Sequence, residues 1–90
     1  MLKALITSKA RREIILLLFD GEDIPYHPRD IERLTHLNIR GLLDQLIKLE
    51  NTGLISAKYL GNKSFYKANR DSPYYEPICH LAKLSIKLGH

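Results

Sequence analysis

The sequence predicts a mainly α fold with a small β-hairpin wing. This is a winged helix-turn-helix of the α+β class, in the order α-(β)-α-α-β-β-α. Three observations carry that reading. Two apolar-periodic segments flank His36-Leu37-Asn38, a span of the right length for a helix-turn-helix. Two alternating segments then flank Gly61-Asn62-Lys63, which suits a hairpin tip. The third observation is charge. Eight basic residues lie between Arg29 and Arg70: Arg29, Arg33, Arg40, Lys48, Lys58, Lys63, Lys67 and Arg70. Four acids share the segment: Asp30, Glu32, Asp44 and Glu50. That surplus equals the net charge of the whole chain, +4. A basic excess confined to such a segment points to a polyanion, most simply duplex DNA.

The elements follow in order. Ser8 suits the cap of a first helix that runs through Phe19 and stops at Asp20-Gly21. Ile14, Leu17 and Leu18 share a face, and Ile15, Leu16 and Phe19 make the helix apolar on most sides, so it should be buried. A short turn at Leu2 to Ile6 is expected before it. Ile24-Pro25-Tyr26 is extended, and Pro25 confines it to an edge or loop. Pro28 opens a second helix to Thr35, with Ile31 and Leu34 inward. His36 stands where the turn needs positive φ, a region in which histidine is enriched. Leu37 should tuck between the two helices.

Asn38 caps a third helix to about Asn51, with Leu42, Leu46 and Leu49 inward and Gly53 as its stop. Leu54 to Leu60 and Ser64 to Ala68 read as strands. Leu54, Ser56, Lys58 and Leu60 lie on one face of the first, and Ile55, Ala57 and Tyr59 on the other. Ser72-Pro73 opens a last helix over residues 73–88. Ile78, Leu81, Ser85 and Leu88 share one face, widened by Ala82 and Leu84.

Ninety residues make one domain, 1–90, able to bury roughly 60–65% of its unfolded surface. Hydrophobic residues are 44% and charged residues 27%, too apolar for a disordered chain. The longest apolar run, Ile14 to Phe19, is far short of the ~20 residues a bilayer needs, and no signal peptide is visible. One cysteine, Cys79, excludes an intramolecular disulfide and suits a reducing cytoplasm. Phosphate loops, Cys-x-x-Cys and Gly-x-Ser-x-Gly are absent, so no enzyme, catalytic residue or cofactor is expected.

Leu37, Asn38, Leu42, Leu46, Leu49, Gly53, Leu54 and Ile55 place the segment Leu34 to Ile55. With the wing Gly61-Asn62-Lys63 and Phe65-Tyr66, it resembles the winged helix-turn-helix of the ArsR and MarR regulator superfamily. The tail from Tyr66-Lys67-Ala68-Asn69 through Pro73-Tyr74-Tyr75 is similar to a subset found in archaea and thermophiles. Some members of that subset accompany minimal nucleotidyltransferases. The resemblance implies a DNA-binding regulator that pairs through its first and last helices. Leu5, Ile78, Leu81, Leu84 and Leu88 would then form the interface, with Leu2 and Ile6 beside it and Ile86 adding apolar surface. Metal sensing, common among such relatives, is not expected. Tyr26-His27-Pro28-Arg29 has no Cys-x-Cys, and Cys79-His80 are adjacent and cannot share a helical face.

The expected DNA contacts are Arg40, Lys48 and, if it turns outward, Gln45 on the third helix. On the wing they are Lys58, Asn62, Lys63 and Lys67, with Tyr59, Phe65 and Tyr66 alternating among them or covering the core. Asp44 repels phosphate. Ile39, Leu43 and Ile47 form an apolar row beside the inner stripe. Three readings stand for that row: burial, contact with thymine methyl groups, or a protein-binding face. The last belongs to a rival function, a winged-helix adaptor or the partner module of a two-component, nucleotidyltransferase-type system.

Overall fold

The computed structural model describes residues 8–87, with side chains to Leu84. The expected turn at Leu2 to Ile6 lies outside them, as do Leu5, Leu88 and the side chains of Ser85 and Ile86. Helix α1 spans Lys9–Leu18, and the Ser8 hydroxyl accepts from the Arg11 amide at 3.2 Å as its cap. Ile14, Ile15, Leu16 and Leu18 are buried on several sides of this one helix, with Phe19 just beyond. It packs against each of the other described helices and so forms the centre of the core.

Helix α2, Pro28–Thr35, begins with a cap that composition did not suggest. His27 Nδ1 accepts from the Arg29 amide at 3.1 Å, and the Asp30 carboxylate accepts from the His27 amide at 3.3 Å. The reciprocal pair satisfies two amides at the start of the helix. Its inner face is Pro28 and Ile31, with Thr35 donating back to the Ile31 carbonyl at 2.6 Å. Leu34, expected inward, is 48% exposed. A residue three after Ile31 sits roughly 60° around the helix, past the edge of the buried face.

His36 closes α2 at φ 61°, ψ 23°, and its amide donates to the Glu32 carbonyl at 2.8 Å. Leu37 is half-buried against the core. Helix α3, Ile39–Asn51, starts at Asn38, whose side chain accepts from the Arg40 amide at 2.9 Å. Leu42, Leu46 and Leu49 are its buried stripe, and Gly53 follows at φ 82°.

Strands β1 (Ile55–Leu60) and β2 (Lys63–Ala68) pair antiparallel, Ile55 opposite Ala68 and Leu60 opposite Lys63. They start one residue later and earlier, respectively, than expected. Leu54 instead accepts the Asn69 amide at 3.0 Å, closing the base of the hairpin. The two-residue loop is Gly61-Asn62, and only Gly61 uses positive φ (61°). Tyr26 and Tyr66 exchange two backbone bonds of 2.8 Å, so the extended piece after α1 edges β2. Ile55, Tyr66 and Ala68 face the core.

Helix α4, Tyr75–Lys87, starts two residues after Pro73, because Ser72-Pro73-Tyr74 turn first: the Tyr75 amide donates to the Ser72 carbonyl at 3.0 Å. Cys79 and Ala82 are its buried residues. Phe19, Ile14, Ile31, Leu42, Leu46 and Ile55 are fully enclosed, each contributing about 1.5–3 kcal/mol by burial. This core fixes α3 and the wing.

Candidate nucleic-acid interface

Three facts decide what α3 and the wing present. The first is charge pairing. Arg29 meets Glu32 at 3.0 Å, Arg33 meets Asp30 at 3.5 Å, and Lys48 meets Asp44 at 3.1 Å. Asp23 meets Lys67 at 3.4 Å and Arg70 at 3.5 Å. Of the eight basic residues between Arg29 and Arg70, five therefore have an acid partner. Arg40, Lys58 and Lys63 have none among the described residues. Arg40 is in the first turn of α3; Lys58 and Lys63 are on the wing. All three are exposed, as is Asn62.

Asp23 was not visible as a functional neighbour in the sequence. It sits in the loop before α2 at φ 57°, with one carboxylate oxygen buried. That oxygen lies within Coulomb reach of Lys67 without hydrogen-bond geometry. Arg70 also lies over the Tyr75 ring, 5.5 Å from its centre. The only local signal was that aspartate tolerates positive φ. Lys67 is thus tied to the base of the wing, half-buried, rather than free near the tip.

The second fact concerns Gln45. Arg11 Nε donates to its side-chain oxygen at 3.0 Å, so Gln45 is half-buried and turned toward α1. The condition for an adenine contact was that it turn outward, and it does not. The cause is a partner 34 residues away.

The third fact concerns the apolar row. Ile39 is half-buried against the core, but Leu43 is 39% and Ile47 53% exposed. Burial therefore accounts for Ile39 alone. A helix with its inner stripe at Leu42, Leu46 and Leu49 turns Arg40, Leu43, Asp44 and Ile47 away from the core.

The wing aromatics divide by face. Tyr66 is buried, and Phe65 is half-buried with His27 edge-on at 5.9 Å. Tyr59 is 63% exposed; its hydroxyl reaches the Glu50 carboxylate at 3.4 Å and shares a hydrogen bond with Tyr66, so its ring does not cover the core. Burial, reinforced by Asp20, Glu22 and Asp30, raises Tyr26 above the ordinary tyrosine value. A hydrogen bond with Cys79, then burial, raises Tyr75. Both stay neutral near neutral pH and leave the local charge to the lysines and arginines.

Ile78 and Leu81, expected at a dimer seam, are half-buried and pack partly on their own core. Ile78 lines an apolar groove of about 280 Å³ with Ile15, Leu49 and Leu54. Leu84 is half-buried. Cys79 is buried beside exposed His80, and no three His, Cys, Asp or Glu side chains among the described residues could hold a metal. No helix among the described residues is long and apolar enough to cross a membrane.

No family model and no curated protein matches the chain. Solved structures do. A predicted DNA-binding transcriptional regulator from E. coli superposes with a TM-score of 0.70 at 19% identity, over 92% of this chain and 83% of that one. A MarR-family transcriptional regulator from Rhodococcus gives 0.69 at 15% identity, over 98% and 61%. The homodimeric winged helix-turn-helix DNA-binding domain of a possible ArsR-family regulator from Mycobacterium bovis gives 0.60 at 24% identity, over 97% and 72%. Among the described residues, four helices and an antiparallel hairpin in this order are a winged helix-turn-helix, the fold these transcriptional regulators share.

Proposed function

We propose that the protein is a DNA-binding transcriptional regulator that lays α3 in the major groove and its wing on the sugar-phosphate backbone. The observation that supports this best is the placement of the unpaired cations. Between Arg29 and Arg70, acids among the described residues engage every basic residue except Arg40, Lys58 and Lys63. Those three stand on the two elements that a winged helix offers to a duplex. Arg40 reads guanine or holds a phosphate, while Lys58, Asn62 and Lys63 hold the backbone. Lys48 joins only by exchanging exposed Asp44 for phosphate, a small cost because exposed pairs are worth about 0–1 kcal/mol, and Lys67 only by leaving half-buried Asp23. The domain acts as a homodimer through α4, in keeping with the homodimeric Mycobacterium domain. Two copies would then present their α3 helices about one duplex turn apart, near 34 Å.

The exposure of Leu43 and Ile47 favours a second reading, a winged-helix adaptor such as the partner module of a nucleotidyltransferase. Salt separates the two. A protomer neutralising three phosphates should lose roughly 40-fold in duplex affinity between ~50 and ~200 mM salt. Absence of duplex binding even at ~50 mM salt overturns the regulator and leaves the adaptor.

A further inference from the structure

The outward side of α3 is short of groups that read bases. Gln45 is held by Arg11 at 3.0 Å, and Asp44 is held by Lys48 at 3.1 Å. Arg40 keeps its donors. The other large side chains exposed between Arg40 and Lys48 are Leu43 and Ile47. They stand four residues apart on one side of the helix, roughly 6 Å along its axis. Base pairs follow one another every ~3.4 Å, so the two side chains reach bases about two steps apart.

The chemistry of the groove limits what they can meet there. Every base edge in the major groove offers a donor or an acceptor, and thymine alone adds a methyl group at C5. Leucine or isoleucine pressed on a donor or acceptor strips its water without replacing the hydrogen bond. Pressed on a methyl group, it buries apolar surface on both sides. An apolar protein groove would satisfy the same pair, but the charge around it argues for a polyanion. Arg40 adjoins it on α3, Lys58 and Lys63 on the wing have no acid partner among the described residues, and Lys48 neutralises the one acid among the exposed residues from Arg40 to Lys48.

Resting on the DNA-binding reading above, the geometry points to Leu43 and Ile47 as specificity-determining residues that read thymine C5-methyl groups. Arg40, one turn earlier, sets the register by gripping a guanine or a phosphate. The preferred site then carries one or two thymines under α3, and the discrimination is by methyl group rather than by hydrogen bond.

The test uses deoxyuridine, which differs from thymidine by that methyl group alone. A duplex selected from a random pool is resynthesised with each thymine replaced singly. At one or two positions the affinity should fall by about four-fold, the weight of one buried methyl group, and elsewhere it should hold. Leu43→Ala and Ile47→Ala should each erase the thymine preference at one of those positions. Both side chains are exposed, so both variants should keep the parent's circular dichroism. Tight binding of the selected duplex with no response to any replacement overturns the inference and leaves the regulator standing. A selected consensus without thymine does the same. Failure to select or bind any duplex at ~50 mM salt overturns both, and gives Leu43 and Ile47 to a protein partner.

Discussion

Arg11 and Gln45 join the first helix to the third by a hydrogen bond of 3.0 Å from Nε to the amide oxygen. Arg11 also lines the apolar groove to which Ile15 and Leu49 contribute. The pair takes from the outer side of α3 a residue whose side chain would suit an adenine, and it fixes how α3 sits against α1.

Gln45→Ala should therefore act on stability and not on base choice. Losing a half-buried hydrogen bond costs about 0.5–1.5 kcal/mol, read as a lower urea midpoint with an unchanged slope. Duplex affinity, measured where the variant is folded, should match the parent. A sequence-dependent loss of affinity would return Gln45 to the groove.

Lys63 and Lys67 separate the free from the engaged cations. Lys63 has no acid partner among the described residues, whereas Lys67 is 3.4 Å from Asp23. Lys63→Ala should weaken binding to all duplexes alike and lower the salt slope by about one unit. Lys67→Ala should lower it by less than about half a unit, since Asp23 already competes for that charge. Equal slopes for the two variants would show that the Asp23 pair gives way on binding.

The local signals were legible in the sequence and the distant ones were not. Ser8, Asn38, Pro28, His36, Gly53 and Gly61 act on the backbone within a few residues, and each does what its type predicts. His27 escaped because histidine is not a usual cap, and its role depends on Asp30 reaching back. Arg11 with Gln45 and Asp23 with Lys67 depend on which helix or loop the fold sets beside which, and spacing holds no record of that. The pairs of Arg29, Arg33 and Lys48 are local to their helices, but the engagement of Lys67 and Arg70 by Asp23 is not, so charge counting found the basic segment without showing which cations are free. The exposure of Leu43 and Ile47 was open because three leucines already fill the inner stripe, and periodicity alone does not say how wide the buried face is.

His36 offers a test of the turn itself. At φ 61° its Cβ meets a penalty that glycine avoids, and its ring is exposed with no partner among the described residues. His36→Gly should stabilise the fold by about 0.5–1 kcal/mol, after allowing for the extra freedom of glycine in the unfolded chain. The urea midpoint should rise and duplex affinity should not change. A fall in stability would mean that the imidazole makes a contact worth more than the strain.

Leu84 tests assembly. It lies on α4 three residues after Leu81, and both are half-buried. Cys79 and Ala82, by contrast, are buried, so the inner side of the helix is already supplied by smaller residues. Leu81 and Leu84 therefore have apolar surface left to offer a twofold partner. Leu84→Glu would place a charge at that seam without a counter-charge, which a dimer should not accept. The variant should keep its circular dichroism, because a half-exposed side chain leaves the carboxylate in water in the monomer. It should sediment at half the parent's mass. Its affinity for a duplex with two half-sites should fall by more than its affinity for one half-site, because linked modules gain from effective concentration. A parent protein that already sediments as a monomer at high micromolar concentration removes the dimer, and with it the one-turn spacing expected of the paired α3 helices.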